Sequence, residues 1–281
     1  MKLNICEQEI INNVQQNAKR KLYRIENTVG IMDIGNFRRH QEDSILISKH
    51  QEVPNIELFL IADGMGGLEN GAKARHIAAC EMFKWFNNMK QKDFIQNNFL
   101  RNGLKRQIFK LDNKIRKECG SGGTTMVSAL TLFDSILIAN IGDSRAYSFN
   151  GSLNQITTDH SVAQKLFEQG EIKQKDDMRF HKKNNLVLSR LGCEKKLLDI
   201  DFYGISKDTV DYLFLFSDGV TDLISNARLE DIIINSSNIE NTVISEALTQ
   251  DSYSENLNLD NYYEKLDAGR DNASLILKRG R

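Results

Sequence analysis

Proline is nearly missing from this chain: Pro54 is the only one in 281 residues. No Gly/Ser-rich stretch replaces it as a linker and no internal repeat is present, so one domain is the default. Cysteine is sparse too. Cys6, Cys80, Cys119 and Cys193 are too scattered to form the close pairs typical of zinc ligands, and the chain is no small disulfide scaffold. Reduced thiols in a cytoplasmic protein are the expectation. No run approaches the ~20 apolar residues of a membrane span. The N-terminal MKLNICEQEI lacks the apolar core of a signal peptide. An excess of one charge is also absent: Lys+Arg 37 against Asp+Glu 38 leaves a net charge of -1. That balance argues against general binding to nucleic-acid phosphates. What remains is ordinary globular composition, 40% hydrophobic and 27% charged.

Residues 1–24 read as an N-terminal extension. Glu7–Arg20 has the look of a polar helix with a short apolar stripe at Ile10, Ile11 and Val14. Residues 25–281 read as one catalytic domain. Short β-branched and aromatic runs predict strands over Ile56–Ala62, Thr124–Thr131, Ser135–Ile141, Arg145–Phe149, Tyr212–Phe216 and Ser274–Lys278. Helical spacing over Gly71–Met89 gathers Ala74, Ile77, Ala78, Met82 and Trp85. Over Phe94–Glu118 it gathers Phe99, Leu104, Ile108, Leu111 and Ile115, and a later helix covers Asn241–Thr249. Strands and helices come in groups rather than in alternation, which points to α+β layers instead of a doubly wound sheet.

The informative pattern is carboxylates at strand ends. Leu58–Ala62 runs into Asp63-Gly64-Met65-Gly66-Gly67, Leu137–Ile141 into Gly142-Asp143-Ser144-Arg145, and Phe214–Ser217 into Asp218-Gly219. Asp271-Asn272 precedes the last strand, and Glu42-Asp43 precedes Ser44–Ile47. Any one Asp-Gly is an ordinary turn. If these strand ends meet, several carboxylates meet, and like charges need cations to neutralise them. Without a His or Cys cluster, the all-oxygen donor set suits Mg²⁺ or Mn²⁺ better than zinc.

In order along the chain stand Arg38-Arg39-His40-Gln41-Glu42-Asp43, Asp63-Gly64-Met65-Gly66-Gly67, Gly123-Thr124-Thr125, Gly142-Asp143-Ser144-Arg145, Asp159-His160-Ser161, Ser217-Asp218-Gly219 and Asp271-Asn272. This series resembles the protein phosphatase 2C family of metal-dependent serine/threonine phosphatases, and its DGMGG form resembles the bacterial branch. The resemblance spans roughly residues 25–278. It implies a four-layer α-β-β-α sandwich, two antiparallel sheets face to face with helices outside. It implies two core Mn²⁺ or Mg²⁺ ions: Asp63 bridging both, Asp218 and Asp271 on one, Asp43 and the Gly64 carbonyl on the other, Glu42 a ligand or a group just behind. Asp143 with Asp218 matches a third, weaker ion. A hydroxide shared by the two ions would attack phosphorus in line, and Arg38 would bind the phosphate. Implied partners are proteins phosphorylated on Ser or Thr and a cognate kinase, for a cytoplasmic monomer.

Met65 stands where many eukaryotic members carry a histidine proposed as general acid. His40 could assist, though a hydrogen-bonding structural histidine is the favoured reading. His160 is read as structural, in an N-cap before the helix Val162–Gln169. The Gly-rich stretch before Thr125 lacks the GK[ST] ending of a nucleotide loop. Gln164–Asn185, with Lys173, Lys175 and His181, matches the family's variable flap, a reading compatible with a solvated helical hairpin. The rival reading is a catalytically silent relative that binds phosphoproteins or regulators. A calcium-binding module ranks lower, for want of the alternating acidic loop.

Overall fold

Core strands buried on both faces sort the chain into layers. The structure, a computed structural model, describes residues 15–16, 19–66, 68–95, 97–193, 198–253, 261–263 and 265–280. The first half contains β1 (Gln15–Gln16), β2 (Arg20–Ile25), β3 (Thr28–Asp33), β4 (Asp43–Lys49) and β5 (Glu57–Met65), then α1 (Leu68–Asn87) and α2 (Asn97–Cys119). Next come β6 (Gly123–Thr124), β7 (Met126–Thr131), β8 (Ser135–Ile141), β9 (Arg145–Phe149), β10 (Leu153–Gln155) and α3 (Val162–Glu168). The remainder holds β11 (Asp201–Ser206), β12 (Tyr212–Phe216), α4 (Asp218–Thr221), α5 (Asn226–Asn235), α6 (Ile239–Thr249), β13 (Ser252–Tyr253), β14 (Lys265–Leu266) and β15 (Ala273–Arg279).

Among the described residues, one sheet runs β1-β2-β3-β15-β12-β9-β10 and the other β11-β8-β7-β5-β4, with β6 added on β5. Neighbouring strands pair antiparallel throughout. Period-two side-chain alternation explains the layering. β5 sends Leu58, Leu60 and Ala62 outward against Ala74 and Met82 of α1 and Leu104, Ile108 and Leu111 of α2. It sends Phe59 and Ile61 inward, where they meet Leu213, Leu215 and Ile276 of the facing sheet. On the far side, Phe214, Phe216, Leu275 and Leu277 pack against Leu229, Ile232, Val243 and Ile244 of α5 and α6. These three apolar seams bind four layers, α-β-β-α, as expected from the sequence.

Several local expectations give way. The helix expected over Glu7–Arg20 is replaced by strand at Gln15–Gln16 and from Arg20 onward; residues 7–14 and 17–18 lie outside the described residues. The expected boundary at residue 24 therefore falls inside β2, which pairs residue for residue with β3. A polar segment with little apolar surface takes the backbone partners that a sheet edge offers. The strand expected over Thr124–Thr131 is interrupted at Thr125. Phe99 is 52% exposed, and Leu100 takes the inward place.

Candidate active site

The site lies where strands of both sheets end. Asp43, the first residue of β4, sits directly across the ladder from Asp63 near the end of β5. β12 stops at Phe216, Ser217 caps the following turn, and Asp218 begins α4. Asp271 precedes β15, and Asp143 occupies the β8–β9 turn. Close approach explains two glycines. A Cβ on Gly64 would lie 2.5 Å from the Gly71 carbonyl oxygen, and one on Gly219 would lie 2.0 Å from that of Asn272.

Hydrogen bonds hold these ends in place. Gly64 N–H donates to the Glu42 carbonyl (2.8 Å). Asp63 N–H donates to Thr125 Oγ1 (3.2 Å), while Thr125 N–H returns to the Asp63 carbonyl (2.8 Å). Ser274 Oγ donates to Asp43 Oδ2 (2.6 Å). Asn272 is the hub: Oδ1 accepts from Glu42 N–H (2.6 Å), and Nδ2 donates to the carbonyls of Ile34 (2.8 Å) and His40 (3.2 Å). It thereby pins the Ile34–Glu42 loop to β15. Asn272→Ala strands one amide and two carbonyls at once and is expected to destabilise the fold by about 2–4 kcal/mol, measured by chemical denaturation. A loss under about 0.5 kcal/mol would remove Asn272 from this role.

Burial dominates the electrostatics. It pushes the carboxyl of Asp43 up to about 7 against the counter-effect of the Ser274 hydroxyl, with Asp271 adding to the rise. It pushes Asp143 to about 7, helped by Asp159 and Asp222. Asp63 rises well above the ordinary range, first through burial and then through Asp218, Asp43, Asp271 and Asp143; Asp218 does so through burial and then through Asp271, Asp143, Asp222 and Asp43. Arginines face this charge. Arg38 Nη2 reaches Asp271 Oδ2 (2.6 Å) and its Nη1 reaches Glu42 Oε2 (3.4 Å). Arg270 pairs with Asp222 (2.9 Å), and Arg75 of α1 donates to Ser44 Oγ (2.7 Å) and the Gln41 carbonyl (3.0 Å).

Among the described residues, no group of three or more His, Cys, Asp or Glu side chains is disposed to hold a metal ion as it stands. Arg38 engages Asp271 and Glu42, and Ser274 engages Asp43. The donor set still fits a hard cation. Asp143 Oδ1 and Asp218 Oδ1 are buried with no hydrogen-bond partner, and the donors are oxygens.

The protein phosphatase 2C profile matches residues 27–168, half of the chain. This chain belongs to the protein phosphatase 2C family. The serine/threonine phosphatase stp of Listeria welshimeri is 31% identical over 211 residues, covering 72% of this chain and 80% of that protein. The protein phosphatase PhpP of Streptococcus pneumoniae is 26% identical, over 72% of this chain and 82% of its own length. Among solved structures, serine/threonine phosphatase Stp1 from Staphylococcus aureus superimposes with a TM-score of 0.72 at 29% identity, covering 94% of this chain and 98% of that one.

Against that phosphatase 2C frame, the structure brings Asp43, Asp63, Asp143, Asp218 and Asp271 within electrostatic reach of one another. Arg38 lies beside Asp271 and Glu42, its side chain 45% exposed. His40 is exposed, and it is its carbonyl, not its ring, that Asn272 binds. His160 accepts from Gly142 N–H through Nδ1 (3.2 Å) and pairs with Asp201 through Nε2 (3.2 Å), a structural tie to the Asp143 turn. Ser161 caps α3, its Oγ accepting from Gln164 N–H (3.1 Å). Arg179 and Asn184 of the flap segment line a cleft with Asp143, Asp218 and Asp222, whereas the three residues singled out from the sequence do not line it. Lys173 donates to the Gly170 carbonyl, and His181 is buried edge-on against Tyr262, 5.3 Å between centroids. Lys175 has its ammonium pushed down by desolvation and by Arg145. The segment is less solvated than a bare hairpin, since Ile172, Met178 and Phe180 are buried. Sequence reasoning missed Asp222, Arg75, Ser274 and the hub role of Asn272. Only Asn272 carried a signal, as the neighbour of Asp271 in its motif.

Proposed function

We propose that this phosphatase 2C protein hydrolyses phosphoserine and phosphothreonine in proteins with the help of divalent cations. The observation that carries the reading is the convergence of buried strand-end carboxylates, whose mutual repulsion on ionisation a divalent cation would relieve. Asp63 would serve two ions, with Asp218 and Asp271 on one and Asp43 and the Gly64 carbonyl on the other. Asp143 with Asp218 would serve a weaker third, and Glu42 stands behind the group. Bound Mn²⁺ or Mg²⁺ supplies a water of lowered pKa for in-line attack on phosphorus.

The protein's own groups do the rest. Arg38, on the exposed side of the carboxylates, offers its planar fork to the phosphate oxygens once it leaves Asp271. Met65 carries no proton, so the departing Ser or Thr oxygen takes its proton from water. The relatives named as serine/threonine phosphatases support phosphoproteins as substrates, and the proposed setting is a monomer in the cytoplasm opposing a Ser/Thr kinase. No helix among the described residues is long and apolar enough to cross a membrane. Incubation with a phosphothreonine peptide and Mn²⁺ tests the activity: multiple turnovers of released phosphate are expected. Stoichiometric peptide binding without release would favour the catalytically silent rival.

Arg38→Ala is expected to raise KM for phosphopeptide about thirtyfold, the equivalent of about 2 kcal/mol for a charged bidentate contact, with a smaller change in kcat. An unchanged KM with an altered Mn²⁺ requirement would instead limit Arg38 to neutralising Asp271 and Glu42. His40→Ala should leave kcat within about threefold and keep both limbs of the pH–rate profile. A large kcat loss confined to phosphopeptides, sparing p-nitrophenyl phosphate, would make His40 the general acid after all.

A further inference from the structure

The outer helical layer carries a groove that the carboxylate site leaves unused. It encloses about 280 Å³ between the end of α1 and the outward side of α2, lined in part by Trp85, Met89, Phe99, Gly103, Arg106 and Lys110. The four α2 residues recur at positions 99, 103, 106 and 110, one stripe of the helix. We propose that this groove docks an acidic protein segment that inserts a bulky apolar side chain.

Three observations converge on that occupant. The first is apolar surface without a partner. Leu100, Leu104, Ile108, Leu111 and Ile115 of α2 fill the core, yet Phe99 is 52% exposed and the nearby Ile95 65% exposed.

The second is Gly103. It sits inside a 23-residue helix, where glycine is disfavoured relative to alanine. A Cβ built there meets nothing within 4 Å. Packing therefore gives no reason for the missing side chain, and what its absence does is keep the groove open.

The third is charge. From Asn97 to Leu111, α2 carries Arg101, Lys105, Arg106 and Lys110 and no acid, in a chain whose net charge is -1. Lys105 and Lys110 form no ion pair among the described residues. Arg106 lies 5.9 Å from the Phe99 ring centroid, so cation and aromatic surface are offered together. The slot is apolar, and its charged lining is Arg106 and Lys110 against one acid, Asp93, a net positive rim that complements a protruding side chain flanked by carboxylates; a flat bilayer would not fill it. Gly103 lies about 24 Å along the helix from Cys119, which leads to β6 beside Gly64. A docked segment thus leaves the carboxylates open, and the inference does not rest on the phosphatase reading.

Selection of a random peptide display library on the intact protein tests this. Enriched peptides are expected to share Leu, Phe or Trp among Asp and Glu. Their affinity should fall at least about tenfold in Gly103→Leu, which fills the slot, and in the Arg106→Glu/Lys110→Glu pair, which reverses the rim. Hydrolysis of p-nitrophenyl phosphate should be unchanged in both. Gly103→Ala should raise the Tm by about 2–4 °C, showing that the glycine is not kept for the fold. Selection of no acidic-apolar pattern, or binding indifferent to both variants, would overturn the proposal. So would a wild type that selects no peptide but binds phosphatidylglycerol vesicles through Arg106 and Lys110.

Discussion

Asp63→Asn is expected to lower kcat on a phosphothreonine peptide by roughly three orders of magnitude or more. The side chain keeps its shape and loses its charge, so the change isolates electrostatics. Asp63 stands across from Asp43 and within the field of Asp218, Asp271 and Asp143, which places it at the centre of the cluster. Removing its charge takes away the carboxylate proposed to serve both core ions. The same variant should be no less stable than wild type in chelator, because it removes repulsion between buried acids. Asp134→Asn is the control: Asp134 is exposed in the β7–β8 turn and should behave as wild type. Equal activity of the two variants would remove Asp63 from the centre of the site.

In chelator, stability is expected to fall as pH rises, the reverse of ordinary acid denaturation. Asp43 and Asp143 are each pushed to about 7 in the fold from an ordinary 3.8. Between those values the folded chain holds protons that the unfolded chain has released, so stability drops with rising pH. The stabilising proton is fully present below about pH 4 and gone above about pH 7. At about 1.4 kcal/mol per pH unit the effect is of the order of 4 kcal/mol for each group. For a chain of this size that predicts a Tm lower by the order of 10 °C at about pH 8 than at about pH 5 in EDTA. Saturating Mn²⁺ should flatten or reverse the trend, since a bound cation favours the ionised carboxylates. A Tm in EDTA that is level or rises over this range would contradict the burial and coupling described for these acids.

The carboxylates were legible in the sequence because each follows or precedes a short apolar run that could only be a strand. Leu58–Ala62, Leu137–Ile141 and Phe214–Phe216 lie in β5, β8 and β12, and the acids after them fall at one end of the sandwich. The grouping of helices and strands was enough for the layers. β3 was not legible. Thr28–Asp33 is buried throughout, so it shows no alternation, and Gly30 interrupts its apolar run. The reason for that glycine lies in the facing strand, where Ile45 Cδ1 would come within 2.6 Å of a Cβ. Arg75 and Ser274 were invisible for a similar reason. Each is an ordinary helix or strand residue until the fold sets it beside Ser44 or Asp43, which are distant in sequence. Asp222 follows Ser217-Asp218-Gly219 outside every motif; Arg270 and Asn184 reach it only across the folded chain.

If the buried strand-end carboxylates hold the divalent cations proposed for them, turnover depends on those ions. The most direct measurement is phosphate release from a phosphothreonine peptide by protein stripped of metal with EDTA and then titrated with Mn²⁺ or Ca²⁺. No measurable turnover is expected in the stripped protein, with full recovery in Mn²⁺ and much less in Ca²⁺. Undiminished hydrolysis by the metal-free protein would contradict that dependence.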